Sequence, residues 1–128
     1  MNYYLTERKN IPFTEAVNKI TASLTDGGFQ VVSEINVSET LKKNLDVNFK
    51  EYKILGACDP DITYKAILLE DKIGPLLPCN LIIQEHSENE VEISVINPLE
   101  SMSNIDNIRL KILAFEVGER LKKILKNI

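Results

Sequence analysis

A chain of 128 residues has the length of one domain, and a domain of that size buries roughly two-thirds of the surface that its unfolded chain exposes. Hydrophobic residues make up 44% and charged residues 27%, so disorder is a poor description of most of the chain. The net charge of −4 disfavours nucleic acid as the main partner, because phosphate binding needs a clustered basic surface.

Membrane insertion is also disfavoured, because no apolar run approaches the roughly 20 residues that span a bilayer. The polar segment Met1–Asn10 lacks the apolar core of a signal peptide. We therefore expect a cytoplasmic protein. In that compartment the two cysteines, Cys58 and Cys79, are expected to be reduced thiols.

The first elements are a strand, a helix and a second strand. Alternation of apolar and polar residues predicts a strand over Tyr3–Glu7. Pro12 starts a helix that Asp26-Gly27-Gly28 ends, and its apolar face carries Phe13, Ala16, Val17, Ile20 and Leu24. In the next strand, one side carries Phe29, Val31, Ile35 and Val37.

Capping signals mark the next two helices. Ser38 is a good N-cap for a short helix carrying Leu41 and Leu45. After a strand over Tyr52–Cys58, Asp59 and Pro60 form an N-cap followed by a first-turn proline, which predicts a helix to about Leu69. This helix is apolar enough that most of it should be buried.

The C-terminal half predicts a hairpin and a long helix. Gly74–Pro78 is an apolar loop with two prolines, which no regular element accommodates. Strands follow over Cys79–His86 and Val91–Ile96, and a polar connection leads to a helix from about Ile105. The wide apolar stripe of that helix holds Leu110, Leu113, Val117, Leu121, Ile124 and Ile128, flanked by Ile108, Ile112 and Phe115.

Strands mixed with helices and ending in a hairpin favour an α+β domain over residues 1–128, in which helices pack on one face of an antiparallel sheet. The four carboxylates Glu85, Glu88, Glu90 and Glu92 make the hairpin acidic, and we interpret it as a sheet edge that discourages strand addition. His86, the only histidine, is expected to be solvated.

Three segments carry a family resemblance. They are Tyr52–Pro60 with Gly-Ala-Cys-Asp-Pro, Ile73–Asn80 with Ile-Gly-Pro-Leu-Leu-Pro-Cys-Asn, and Asn97-Pro98 after a strand. In these the chain resembles the bacterial and archaeal domain-of-unknown-function family DUF302 over nearly its whole length. Asp59 stands where that family often has Asn, and both residues cap helices well.

The resemblance implies a fold similar to the TATA-binding-protein-like group, with a β-α-β(4)-α arrangement and short extra helices. It also implies that the protein is often a dimer, and it brings no established activity. The wide stripe of the terminal helix agrees with a homodimer, since it exceeds what one small sheet covers.

The best candidate site is the junction of Cys58, Asp59, Pro60, Pro78, Cys79 and Asn80. The Cys58 thiol would lie near the positive end of the helix that starts at Pro60, which favours the thiolate, whereas Asp59 next door opposes it. Helix N–H groups there would favour an anionic or carbonyl-bearing small-molecule ligand.

Three interpretations of this junction stay open. The cysteines are small core residues, or they line a ligand pocket, or they carry thiol redox or soft-metal chemistry with Cys58 reactive and Cys79 resolving. The 21 positions between them give no C-x-x-C pair, so no zinc site or preformed dithiol is predicted. No cofactor can be named. The leading hypothesis is a small binding domain with its site at this junction. The alternatives are a thiol-dependent redox enzyme or sensor, or a soft-metal-binding protein, that uses Cys58 and Cys79, and a structural dimeric interaction module without a small ligand.

Overall fold

Five strands and five helices make up the part of the chain that the computed structural model describes, residues 2–77 and 79–128. The strands are β1 Tyr4–Lys9, β2 Gln30–Asn36, β3 Tyr52–Cys58, β4 Cys79–Ser87 and β5 Glu90–Ile96. The helices are α1 Phe13–Asp26, α2 Val37–Leu45, α3 Pro60–Leu69, α4 Pro98–Ser101 and α5 Ile108–Lys126, with a 3₁₀ turn at Gly74–Leu76.

The strands form one antiparallel sheet in the order β1-β5-β4-β3-β2. The predicted α+β class and its β-α-β(4)-α arrangement are confirmed, with α2, α3 and α4 as the short additions. The order places β4 and β5 inside the sheet and leaves β1 and β2 at its edges. The interpretation of the acidic hairpin as a sheet edge is therefore wrong, because both of its strands have neighbours on either side.

The main core lies between one face of the sheet and the helices α1 and α5. Inward-facing strand residues alternate with residues on the opposite face, as the two-residue period of a strand requires. The buried strand side chains of this cluster are Leu55, Ala57, Leu81, Ile83, Val91, Ile93 and Val95. The helices contribute Phe13, Ala16, Ile20 and Leu24 from α1 and Val117, Leu121 and Leu125 from α5.

A β-bulge in β2 changes which side chains reach this core. Val31 pairs with Ala57 on the core face, but the register shifts between Val31 and Ser33, so Ile35 pairs with Ile54 on the opposite face. The prediction that Val31 and Ile35 share a side is wrong, because the extra residue of a bulge reverses the alternation beyond it.

The cap of α2 differs from the sequence-based expectation. Asn36, not Ser38, is its N-cap, and the Asn36 Oδ1 atom accepts a hydrogen bond from the Glu39 N–H at 3.0 Å. The Ser38 hydroxyl donates to the same Oδ1 atom at 2.9 Å. Asn is as good a cap as Ser, and the strand ends one residue earlier than the apolar pattern indicated.

Helices α3 and α5 also depart from prediction. Helix α3 has the predicted bounds, but Ala66 is its one buried residue, while Tyr64 and Leu68 are 65% and 68% exposed. Helix α5 begins at Ile108 rather than Ile105, because the Asn107 side chain caps it by accepting from the Leu110 N–H at 3.1 Å. In residues 2–77 and 79–128 no helix has the length and hydrophobicity to cross a membrane.

Candidate functional site

The end of β3 and the start of α3 form a tightly bonded corner. Asp59 caps α3, with its Oδ1 atom accepting from the backbone N–H of Asp61 at 3.0 Å and of Ile62 at 3.4 Å. Pro60 takes the first helical position, where its missing N–H costs nothing. The predicted helix start at Asp59-Pro60 is confirmed.

Arg120 on α5 holds this corner from the other side. Its Nη1 atom donates to Asp59 Oδ2 at 2.8 Å, and its Nη2 atom donates to the Gly27 carbonyl oxygen at 2.7 Å. The guanidinium carbon lies 4.5 Å from the centre of the Phe29 ring, within cation–π range. One side chain therefore ties α5 to the end of α1 and to the start of α3.

Asp59 remains ionised in this setting. Burial is the largest single influence and raises the pKa of its carboxyl. The hydrogen bond from Arg120, those from the Ile62 and Asp61 N–H groups, and the Arg120 charge together outweigh burial, so the pKa lies below its usual value. The carboxylate is thus engaged by the protein itself and serves as a structural anion.

The two cysteines lie together beside this corner. Cys79 pairs with Ala57 in the sheet, one position before Cys58, and neither cysteine forms a disulfide. Both line a cavity of about 30 Å³ with apolar neighbours such as Leu77 and Met102. That volume admits roughly one or two water molecules and no larger ligand.

The environment of Cys79 disfavours its thiolate. Burial, and to a lesser extent the neighbouring Cys58, raise the pKa of the Cys79 thiol and Arg120 lowers it, so that the pKa lies at about 11. A thiol with this pKa is almost wholly protonated at neutral pH, and it behaves as a small apolar core side chain.

The structure brings together three of the predicted site residues and separates a fourth. Cys58, Asp59 and Cys79 line the same cavity, and Pro60 follows them at the helix start. Asn80 pairs with Gly56 and lies on the opposite face of the sheet from Cys79, because successive strand residues alternate. Pro78 lies outside the described residues.

A larger concavity that the sequence did not predict lies on the sheet face away from α1 and α5. It measures about 480 Å³, which is within the usual range for small-molecule sites. Its lining consists of Tyr3, Tyr4, Tyr52, Asn80, Leu81, Ile82, Gln84, Glu92, Ser94, Val95 and Ile96. We call it the sheet groove.

Glu92 anchors a chain of hydrogen bonds on this face. Its Oε2 atom accepts from the Thr6 hydroxyl at 2.7 Å, and its Oε1 atom lies 2.8 Å from His86 Nε2. The Thr6 and Ser94 hydroxyls are 2.7 Å apart, and the Arg8 guanidinium is 3.7 Å from Glu92. His86 is exposed, as expected, and its imidazole also has a carboxylate partner.

The network keeps Glu92 ionised. The hydrogen bond from Thr6 is the largest influence that lowers the pKa of Glu92, followed by that from His86; burial raises it, and the charges of Arg8 and His86 lower it. The one sequence signal for this cluster is the matching polar alternation of β1 and β5. It becomes informative only when the pairing Thr6↔Ser94 is known.

Metal ligands do not assemble at either place. Across residues 2–77 and 79–128, no three His, Cys, Asp or Glu side chains converge on a point that could hold an ion.

The sequence and the fold were compared with known proteins. The family model described as "Domain of unknown function DUF302" matches residues 5–128. A solved structure titled as an uncharacterized conserved protein DUF302 from Bacillus stearothermophilus matches with a TM-score of 0.90 at 22% identity, covering 98% of each chain. At that identity the likeness concerns the fold. Among curated proteins, none matches the sequence.

Proposed function

The chain belongs to the DUF302 family, a family without an assigned activity, and we propose that it is a small cytoplasmic binding domain that holds a small molecule in the sheet groove. The observation that carries this proposal is the groove itself. It combines a ligand-sized volume of about 480 Å³ with a lining that includes three tyrosines and the polar side chains of Asn80, Gln84, Glu92 and Ser94.

The chemistry of the groove indicates the class of ligand. Glu92 is the one charged residue among the described lining residues, and its network holds it as an anion. The groove is also lined by three tyrosines, Tyr3, Tyr4 and Tyr52, and aromatic rings attract cations and planar groups. The proposed ligand is therefore a planar molecule that carries a positive charge or several hydrogen-bond donors.

Binding is favoured over catalysis, because none of the described residues that line the groove is an activated nucleophile. The Ser94 hydroxyl is bonded to Thr6, and the His86 imidazole is bonded to Glu92 rather than to a hydroxyl or thiol. A general base must lie within hydrogen-bond reach of the group that it activates.

A titration with benzamidinium and with benzoate, followed by amide NMR shifts, tests this proposal. We expect benzamidinium to shift the amide signals of 80–84 and 92–96 and the side-chain amides of Asn80 and Gln84, with benzoate much weaker. Glu92→Gln should weaken benzamidinium binding at least fivefold, whereas Glu88→Gln at the hairpin tip should not. Equal effects of the two probes, or shifts confined to other surfaces, would refute the proposed ligand class.

Thiol chemistry at the cysteine junction is a second candidate, because Cys58 and Cys79 line one cavity beside the start of α3. Oxidation by hydrogen peroxide would remove two protons and two electrons from the thiols and form the S–S bond, while the O–O bond breaks and the peroxide is reduced to two molecules of water. Intact mass without reductant, beside the Cys58→Ser/Cys79→Ser variant, measures that loss. A fully reduced mass after peroxide treatment would leave the cysteines as packing residues, as would their protection from alkylation in the folded protein.

A further inference from the structure

We propose that the ligand of the sheet groove carries an apolar tail, which lies along three isoleucines on the same face of the sheet. These are Ile82, Ile54 and Ile35, and we call them the isoleucine row. This inference rests on the proposed function, because the row holds the tail of a molecule whose cationic head lies beside Glu92. The ligand is then an amphiphile, in which a planar cation is joined to a short hydrocarbon chain.

The isoleucine row follows from the register of the sheet. Ile35 pairs with Ile54, and Ile54 pairs with Ile82. Ile82 pairs in turn with Ser94, and Ser94 pairs with Thr6. Directly paired residues have their side chains on the same face. One line across all five strands is therefore apolar on β2, β3 and β4 and carries hydroxyl groups on β5 and β1.

The row begins inside the sheet groove. Ile82 and Ser94 both line the groove, and Glu92 lies two positions before Ser94 on β5. Neighbouring strands are about 4.8 Å apart, so the row extends roughly 10 Å from Ile82 to Ile35. A saturated chain of roughly six to eight carbons covers that distance, since C–C bonds measure about 1.5 Å. One ligand can therefore contact both the polar network and the row.

The core of the protein does not use these three side chains. Among the described residues, neither the two buried clusters nor the partly buried residues packed against them include any member of the row. Ile35 is 52% exposed, and Ile54 and Ile82 are half-buried. The face of an antiparallel sheet that lies away from the core usually carries polar residues. Three adjacent isoleucines there form a surface that a hydrocarbon chain would cover.

The β-bulge in β2 adds the last member of the row. Val31 and Ile35 are four positions apart and would share the core face in a regular strand. The register shift between Val31 and Ser33 turns Ile35 to the other face, where it lies beside Ile54. Bulges are frequent next to functional sites, where they redirect a side chain. Here the bulge extends the apolar surface by one strand.

Alkyl-substituted benzamidinium probes test the tail. Calorimetric titrations would compare benzamidinium with its 4-butyl and 4-hexyl derivatives. Each CH₂ group that lies on the row should tighten binding about twofold, since a half-buried CH₂ gains less than the roughly fourfold of a fully buried one. We expect 4-hexylbenzamidinium to bind about tenfold or more tightly than benzamidinium. Its amide NMR shifts should extend from the groove to residues 33–35 and 54.

Two variants separate the row from the head site. Ile35→Thr/Ile54→Thr keeps β-branched side chains, which suit strands. It should reduce the gain from the hexyl chain to about threefold or less and leave the affinity for benzamidinium unchanged. Ile112→Thr is the matched control, because Ile112 is 55% exposed on α5, which packs on the other face of the sheet. This control should leave both affinities unchanged.

The possible failures are distinguishable. If benzamidinium binds but the hexyl chain adds no affinity, this inference is overturned and the proposed function stands. A gain that survives Ile35→Thr/Ile54→Thr, or that Ile112→Thr abolishes, would overturn it as well, because the chain would then lie elsewhere. If neither benzamidinium nor its alkyl derivatives shift the groove signals, the proposed function is refuted together with this inference.

Discussion

Arg120 and Asp59, which are 61 positions apart, are joined by a hydrogen-bonded ion pair of 2.8 Å at the junction of three helices. The same guanidinium reaches the Gly27 carbonyl and lies over the Phe29 ring. This contact engages the carboxylate of Asp59, which belongs to the best candidate site that the sequence offered. It explains why the Asp59-Pro60 corner is better described as a structural joint than as an open ligand site.

Two replacements of Asp59 should separate the contribution of its helix cap to stability from that of its ion pair. Asp59→Ala removes both and should lower the free energy of unfolding by about 2 kcal/mol. Asp59→Asn keeps a good cap and loses only the charge, so its loss should be about half as large. Urea denaturation at pH 7 measures both. Equal losses would contradict a contribution from the cap, and an Asp59→Asn variant as stable as the unaltered protein would contradict a contribution from the ion pair.

Acid should weaken the same joint. The folded-state pKa of Asp59 lies below its ordinary value of 3.8, so the stability that it contributes is present above pH 3.8 and is lost as the pH falls through the folded pKa. Asp59→Asn should show a smaller loss of stability between about pH 5 and pH 2 than the unaltered protein. Parallel acid titrations of thermal unfolding would reveal the difference, and identical curves would contradict it.

Gly28 should not tolerate a side chain. Its φ of +91° is unfavourable for other residues, and an added Cβ would lie 2.9 Å from Arg120 Nη2. We expect Gly28→Ala to destabilise the fold by about 1–3 kcal/mol. Gly74→Ala is the matched control, because its Cβ would meet no atom within 4 Å. Thermal denaturation should leave this control near the unaltered protein; equal effects of both changes would be inconsistent with the packing described.

Alkaline pH should destabilise the protein through Cys79. Its pKa rises from 9.0 to about 11 on folding, so the folded state keeps a proton that the unfolded state releases. Stability is then lost as the pH rises from about 9 to about 11, by roughly 3 kcal/mol at most. Cys79→Ala should lack this component, although it is less stable at pH 7. Urea denaturation at several pH values, with a reductant present, measures the free energy of unfolding of both proteins. If the two free energies fell with pH in parallel, the assignment to Cys79 would be wrong.

The floor of the sheet groove should depend on Thr6. Thr6→Val keeps the shape of the side chain but removes the hydroxyl that bonds Glu92 and Ser94. With Ser94 only 8% exposed, its hydroxyl would lose a partner, at a cost of about 1–2 kcal/mol. The pKa of Glu92 should also rise, which NMR titration of its carboxyl would detect. An unchanged pKa would show that Thr6 does not lower it and would leave that role to His86 and Arg8.

Local sequence signals were sufficient for the helices that have clear capping residues or a long apolar stripe. Asp59 followed by Pro60 marks the start of α3, and the six-residue stripe from Leu110 to Ile128 marks α5, since caps and periodicity act within a few residues. The predicted start of a helix was wrong where two nearby residues could both act as its N-cap. Asn36 and Ser38 are such a pair, and only the end of the pairing between β2 and β3 selects Asn36.

The candidate site was predicted less well than the fold. The sequence placed Cys58 and Cys79 together, which the sheet register bears out, but it assigned Asn80 to the same place. It also gave no indication of the sheet groove. The lining of that groove comes from four strands and from Tyr3: β1 and β3 contribute one tyrosine each, and most of the other lining residues are alternate positions of β4 and β5 that look unremarkable alone.

The sequence by itself determined the α+β class, the order of most elements and the family, because these depend on local periodicity, capping residues and contiguous motifs. Only the tertiary structure decided which strands are neighbours, and therefore that Thr6, Glu92 and Ser94 form one network. It also decided that the bulge in β2 turns Ile35 away from the core and that the outer face of α3 stays exposed. Those outcomes depend on contacts between residues that are tens of positions apart in the sequence. The free energies of such contacts cannot be inferred from a local sequence pattern.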